Sequence, residues 1–193
     1  SSGSVTSRKA RAGEAPSVRA AANGRGSSRA QASPTMRMMF ASVVLPQNSM
    51  GTLPTRNYSE AAYEFAEDLS GEKLYDEYLK GAADGKQDKQ GRDTCYSCIV
   101  RCKRVVELEG KYPVNEVYGG PEYETIGTFG SYCGVKDMAA VSLANQICNE
   151  HAIDTIAAGA TIAFAMECFE KGILTAEDTD GIVLRYGDAE SMI

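Results

Sequence analysis

Between Asp137 and Glu150 the apolar residues Met138, Val141, Ala144, Ile147 and Cys148 recur three and four positions apart, the spacing of one helical face. Asp137 is placed to cap that helix by accepting backbone N–H groups. The next stretch, Ile153 to Phe169, is apolar on nearly every side and broken by Asp154, Gly159 and Glu167. It predicts a core helix that opens near Asp154 and stops at Gly172. No apolar run reaches the roughly 18–20 uninterrupted residues a membrane span needs, so no membrane association is expected.

Upstream the pattern is less regular. Met36–Leu45 is a short apolar segment that predicts a strand, and the loop from Gly51 to Tyr58 contains Pro54, which halts a helix. Helical patterns follow over Glu60–Leu69 and from Ser70, a capping residue, to about Lys80. Gly81–Gly91 is polar and predicts a loop. A strand with a turn at Gly119-Gly120-Pro121 follows the cysteine-rich segment, and Thr175 with Asp178 resembles a capping box. No repeat is visible. The fold class expected is mainly α, with minor sheet.

Composition changes this picture at one end. The first 35 or so residues are rich in Ser, Ala, Gly and Arg and cannot bury enough surface to offset ordering entropy. We therefore expect a disordered basic extension over residues 1–47 and a helical domain over 48–193. The extension fits either an organelle transit peptide or an upstream segment with no structural role. Removing it leaves a strongly acidic body within a chain of net charge −6, which argues against nucleic acid as a partner. With no secretory signal, the reducing cytoplasm is the expected compartment, and targeting by the extension stays open.

Six cysteines change the picture again, because Cys95, Cys98 and Cys102 form a C-x2-C-x3-C run. Crowding of that kind suits a metal better than disulfides. From spacing alone the run accommodates an iron–sulfur cluster, zinc or three reduced thiols, and the cluster ranks first. Arg101, Lys103 and Arg104 beside the thiols would offset their charge. Cys133, Cys148 and Cys168 lack motif spacing; as candidates for a fourth ligand they compete with a plain core role, which is the stronger reading. A second constellation, Tyr118-Gly-Gly-Pro-Glu122-Tyr-Glu124, carries two carboxylates that an extended backbone would point the same way. The third, from Cys148 through Asn149, His151 and Asp154 to Thr155, ends at a predicted helix start, a position that caps backbone or binds anions. His151 is the one histidine of the chain, and a lone histidine is more often structural than catalytic.

Taken together, Cys95–Arg104, YGGPEYETIGTFGSYCG (118–134) and CNEHAIDTIAAG (148–159) resemble, in order and spacing, the aldehyde:ferredoxin oxidoreductase family. GTLPTRNY (51–58), the segment Phe164–Gly172 and LRYGD (184–188) extend the resemblance over residues 48–193. It implies the helical central domain of that family. It also implies a tungsten or molybdenum centre on two pterins, a [4Fe–4S] cluster, an aldehyde substrate and ferredoxin as electron acceptor. Carried over by motif, Cys95, Cys98 and Cys102 are three cluster ligands. Glu124 is the acid beside the metal, and Asn149 and Asp154 are pterin-binding residues. The family writes the last segment (N/D)-E-L-G-L-D; here Ala152 and Ile153 stand in place of Gly-Leu, which touches the turn that presents Asp154.

The family chain is several times longer than the matched part. Its amino-terminal sheet domain has no counterpart in residues 1–47. Its fourth cluster cysteine, second pterin segment and active-site histidine belong to a carboxy-terminal domain beyond Ile193, and His151 does not match that histidine. The resemblance therefore implies a truncated or split member, with a complementary chain supplying the missing domains.

Overall fold

A computed structural model describes residues 43–193 of the chain. The basic extension up to residue 42, and with it most of the expected strand at 36–45, lies outside the described residues. Where that segment is described it is helical: α1 (Val44–Ser49) buries Val44 in the core. Pro46 is tolerated because it sits in the first turn, where the missing N–H has no helical partner to lose. The following loop is held by the body. Arg56, Asn57 and Tyr58 all take positive φ, and the N–H groups of Arg56 and Asn57 donate to the carbonyls of Ser131 and Tyr132.

The expected helix over 60–69 contracts to a 3-10 turn, Ala66–Leu69. Ser70 caps as predicted, its hydroxyl accepting from the Lys73 N–H at 3.1 Å, but α2 (Gly71–Lys73) widens at once into a π turn, Leu74–Tyr78. A short helix, α3 (Gln87–Gln90), occupies part of the expected loop. The sheet is minor, as expected: β1 (Arg92–Asp93) pairs antiparallel with β2 (Lys103–Arg104), Arg92 opposite Arg104 and Asp93 opposite Lys103. The architecture is mostly helical, with this one ribbon among the described residues.

Three elements pack at the centre of a core that also takes Leu53, Leu69, Leu74 and Val106 from the preceding segments. The first, α4 (Tyr123–Ile126), runs into a second π turn, Gly127–Ser131. α5 (Met138–Glu150) begins and ends where its pattern predicts, Asp137 accepting from the N–H groups of Ala139 and Ala140 at 2.9 and 3.3 Å. It buries Met138, Val141, Ala144 and Cys148. α6 (Thr155–Glu170) is capped by Asp154, which accepts from the Ala157 N–H at 2.7 Å. It closes on Gly172 at φ 67, with the N–H groups of Gly172 and Ile173 returning to the carbonyls of Phe169 and Cys168.

One expectation for α6 changes. Gly159, Ala163, Met166 and Cys168 are buried, yet Ile156 and Phe164 are 48% and 59% exposed. The apolar surround of this helix is thus met by packing along one stripe, against α4, α5 and the 127–131 turn. Among the described residues no helix is long and apolar enough to cross a membrane.

The closest of these contacts is at Gly159, where an added Cβ would stand 2.7 Å from Thr128 Cβ and 2.8 Å from the Thr128 carbonyl carbon. Backbone on one side leaves no flexible group to give way. We expect Gly159→Ala to lower unfolding free energy by about 1–2 kcal/mol, overpacking outweighing the gain in helix propensity. Urea unfolding checks this, and an unchanged midpoint would contradict the close approach.

Candidate functional site

The three clustered cysteines occupy the loop that joins β1 to β2. The antiparallel ribbon fixes both ends of that loop, and reciprocal bonds from the Arg92 and Arg101 guanidinium groups to each other's carbonyls, both 3.2 Å, brace its base. Inside the loop the Cys98 N–H donates to the Cys95 carbonyl at 3.0 Å, and the Thr94 hydroxyl donates to the Cys98 carbonyl at 2.5 Å. Ser97 and Arg101 take positive φ, which folds the segment back on itself. Cys95 is exposed, Cys98 and Cys102 are half-buried, and all three are free thiols. The loop carries all three, although no group of three potential ligands is arranged around one centre among the described residues. The donor set suits an iron–sulfur cluster in its chemistry and supplies three of the four thiolates such a cluster uses.

The other three cysteines are core residues. Cys133 is fully buried and its thiol donates to the Thr128 carbonyl at 3.3 Å. Burial pushes that thiol up to about 12. Burial, and then the Asp154 carboxylate, raise Cys148 as well.

Arg104 does not stand with the thiols, as its place in the sequence suggested. It is 2% exposed and forms an ion pair with Glu122. The extended geometry expected for the two carboxylates is corrected, but not their meeting, since both line one cleft. Glu122 is extended, but Tyr123 opens α4, so Glu124 lies on a helix, where residues two apart face different ways. Glu122 pairs with Arg104 and lines the second of two cavities, while Glu124 is half-buried and lines both. The first, about 420 Å³, has walls of Leu53, Tyr58, Tyr132 and Ile156. The second, a polar cleft of about 550 Å³, brings Glu124 together with Asn145, Asn149, Thr155 and Lys103. The phenol of Tyr123 is raised by its hydrogen bond to Glu124 and by that group's charge, so it stays a donor beside the carboxylate.

Asn149 lies at the end of α5, its amide donating to the Tyr118 carbonyl at 3.3 Å. Asp154 is exposed and holds the first turn of α6. The turn between them survives the loss of glycine. Ala152 takes φ 55, with its N–H returning to the Asn149 carbonyl at 3.4 Å and that of Ile153 to the Cys148 carbonyl at 2.8 Å. This is the same αL closure that Gly172 gives α6. The hydroxyls of Thr125 and Thr155 meet at 2.8 Å, tying α4 to the start of α6. His151 is exposed and does not line the cleft.

Asn145 is the cleft residue that motif reading passes over. It is 4% exposed, and its Nδ2 has no hydrogen-bond partner. The signal was a polar residue one turn before Asn149, amid the apolar face of α5. A buried, unpaired amide beside Asn149 and Thr155 fits a polar heterocyclic cofactor rich in acceptor atoms.

A family model described as "Aldehyde ferredoxin oxidoreductase, domains 2 & 3" matches residues 12–193. The chain belongs to the aldehyde ferredoxin oxidoreductase family. The tungsten-containing aldehyde ferredoxin oxidoreductase of Thermococcus kodakarensis is 38% identical over 144 residues, which is 74% of this chain and 22% of the relative. Its counterpart in Pyrococcus furiosus is 34% identical over the same shares. The WOR-like subunit of an aliphatic sulfonate oxidoreductase from Pyrococcus furiosus is 30% identical over 97 residues, 50% of this chain and 15% of the relative. The chain thus spans about a fifth (22%) of the length of the aldehyde ferredoxin oxidoreductases it matches. The match reaches upstream to residue 12, well beyond the motifs that begin at Gly51.

Three outcomes follow for this family member. Alkylation of the metal-free protein near neutral pH should label Cys95, Cys98 and Cys102 and spare Cys133 until unfolding, as peptide mass mapping would show. Because burial raises the Cys133 thiol, its contribution to stability is complete below the ordinary thiol pKa and is lost as pH rises towards about 12. Ala152→Gly should raise unfolding free energy by about 1 kcal/mol by relieving a left-handed non-glycine residue. A lowered melting point would contradict the αL assignment.

Proposed function

We propose that this chain is the cluster- and pterin-binding part of an enzyme that oxidises aldehydes to carboxylic acids. The observation that carries the reading is one cleft that gathers Glu124, Asn149, Thr155 and Lys103, the residue next to Cys102. Motif residues distant in sequence meet there, and the cysteine loop is rooted at its edge. The net reaction takes an aldehyde and water to a carboxylic acid, two protons and two electrons. A tungsten or molybdenum bis-pterin, when bound, supplies a two-electron acceptor beside the substrate. Glu124 accepts a proton from the attacking water. Asn149 and Asp154 hold the pterin, and Thr155 supports the same wall. Cys95, Cys98 and Cys102 would hold three irons of a [4Fe–4S] cluster, which when bound would supply a one-electron relay towards ferredoxin. The fourth thiolate and the second pterin segment come from outside residues 48–193, either elsewhere in the same polypeptide or in a complementary chain.

The deciding measurement is elemental analysis of the full-length protein purified anaerobically, with its visible spectrum. About four irons per chain together with tungsten or molybdenum is the expected result. Iron alone would make the protein an electron-transfer module, and no metal would sink the reading. Cys98→Ser should abolish cluster incorporation, seen as loss of iron. Glu124→Gln should lower turnover by about 10²–10⁴-fold with metal content intact; normal aldehyde oxidation by that variant would remove Glu124 from its role.

A further inference from the structure

We infer that Asn145 is a further cofactor-holding residue, its side-chain amide hydrogen-bonding an acceptor atom of the pterin in the cleft that Asn149 also lines. The inference rests on the pterin reading above and adds to it a residue that no motif marks. Asn145 lies on α5, one turn before Asn149, so the two amides stand on the same side of the helix. Both line the polar cleft.

The amide is out of keeping with its surroundings. At 4% exposure its Nδ2 has no partner. Other buried polar side chains of the same body are satisfied by backbone carbonyls. The Ser142 hydroxyl donates to the Met138 carbonyl at 2.8 Å, that of Ser131 to the Pro54 carbonyl at 2.7 Å, and that of Thr55 to the Leu53 carbonyl at 3.1 Å. A buried donor without a partner is destabilising, and an apolar residue of the same size would avoid the cost. Its neighbours on α5, Val141, Ala144 and Cys148, show that this face takes apolar side chains. The partner therefore comes from the cleft.

The cleft indicates what that partner is. Gly119 and Gly120 line it with backbone alone; a Cβ on Gly120 would lie 2.7 Å from Val106 Cγ2, so the segment is pressed flat against the body. A carboxamide offers two N–H donors and one carbonyl acceptor in one plane, the complement of the carbonyl and ring nitrogens along the edge of a pterin. Asn149 offers the same set one turn on, with one donor already engaged by Tyr118. Asn145 and Asn149 thus form a two-rung edge for a planar heterocycle.

The test compares Asn145→Leu and Asn145→Ala with the parent in full-length protein purified anaerobically. Pterin is measured as fluorescence after oxidative release, tungsten and molybdenum by elemental analysis, both before and after prolonged dialysis. Melting of the metal-free forms is recorded alongside. We expect metal-free Asn145→Leu to melt at or above the parent, since an unpaired amide has been removed, while pterin is lost from the loaded variants about tenfold faster. Retention equal to the parent in both variants would overturn the inference, the amide then being satisfied by water, and would leave the pterin reading standing. If Asn145→Leu fails to fold, Asn145→Ala alone decides. A parent protein that carries no pterin would overturn both.

Discussion

The approach of α6 to Thr128 at Gly159 sets the spacing on which the rest of the site depends. Only a residue without Cβ lets the helix lie against the 127–131 turn at this distance. That separation brings Thr155 within 2.8 Å of Thr125 and holds the start of α6 beside α4. Glu124, carried by α4, and Asn149, at the end of α5, then face one cleft. Glu124, Thr125 and Thr128 come from one motif and Asn149 and Thr155 from another; the helix contact makes the two motifs neighbours.

A second constraint sorts the charges. Consecutive strand residues point to opposite faces, so β2 sends Arg104 into the body and leaves Lys103 at the cleft. The buried guanidinium pairs with Glu122, which lines the same cleft as Glu124. Two carboxylates of one short segment thereby line one cleft with different partners, Glu122 on Arg104 and Glu124 beside the Tyr123 phenol. The same strand forms one leg of the cysteine loop, so the loop and the cleft share a rigid border.

Much of this was legible in the chain. The caps at Asp137 and Asp154, the ends of α5, the stop at Gly172 and the mainly helical class follow from periodicity and capping chemistry, which are local. The parts that were not legible depend on distant partners. The π turns at 74–78 and 127–131 widen helices whose patterns look ordinary, and the segment over 60–65 has a helical pattern but is held by bridges and loops instead. Glu122 and Glu124 looked equivalent because Arg104 could not be placed beside one of them from sequence. Asn145 was passed over for the opposite reason: it fits the helix well, and its place among apolar neighbours gains meaning once its amide is seen to lack a partner. Of the site itself, motifs carried Glu124, Asn149 and the three loop cysteines; the cleft that assembles the first two came from packing.

The turn at Ala152 bears on how such chains are found and compared. The family pattern has glycine there, and this chain keeps the left-handed backbone without it. The sign of that one dihedral angle sets the direction in which the chain re-enters the fold, and alanine keeps it here as glycine does after α6. The strain of a left-handed alanine is carried by the surrounding body, so the letter at this point is freer than the path of the backbone.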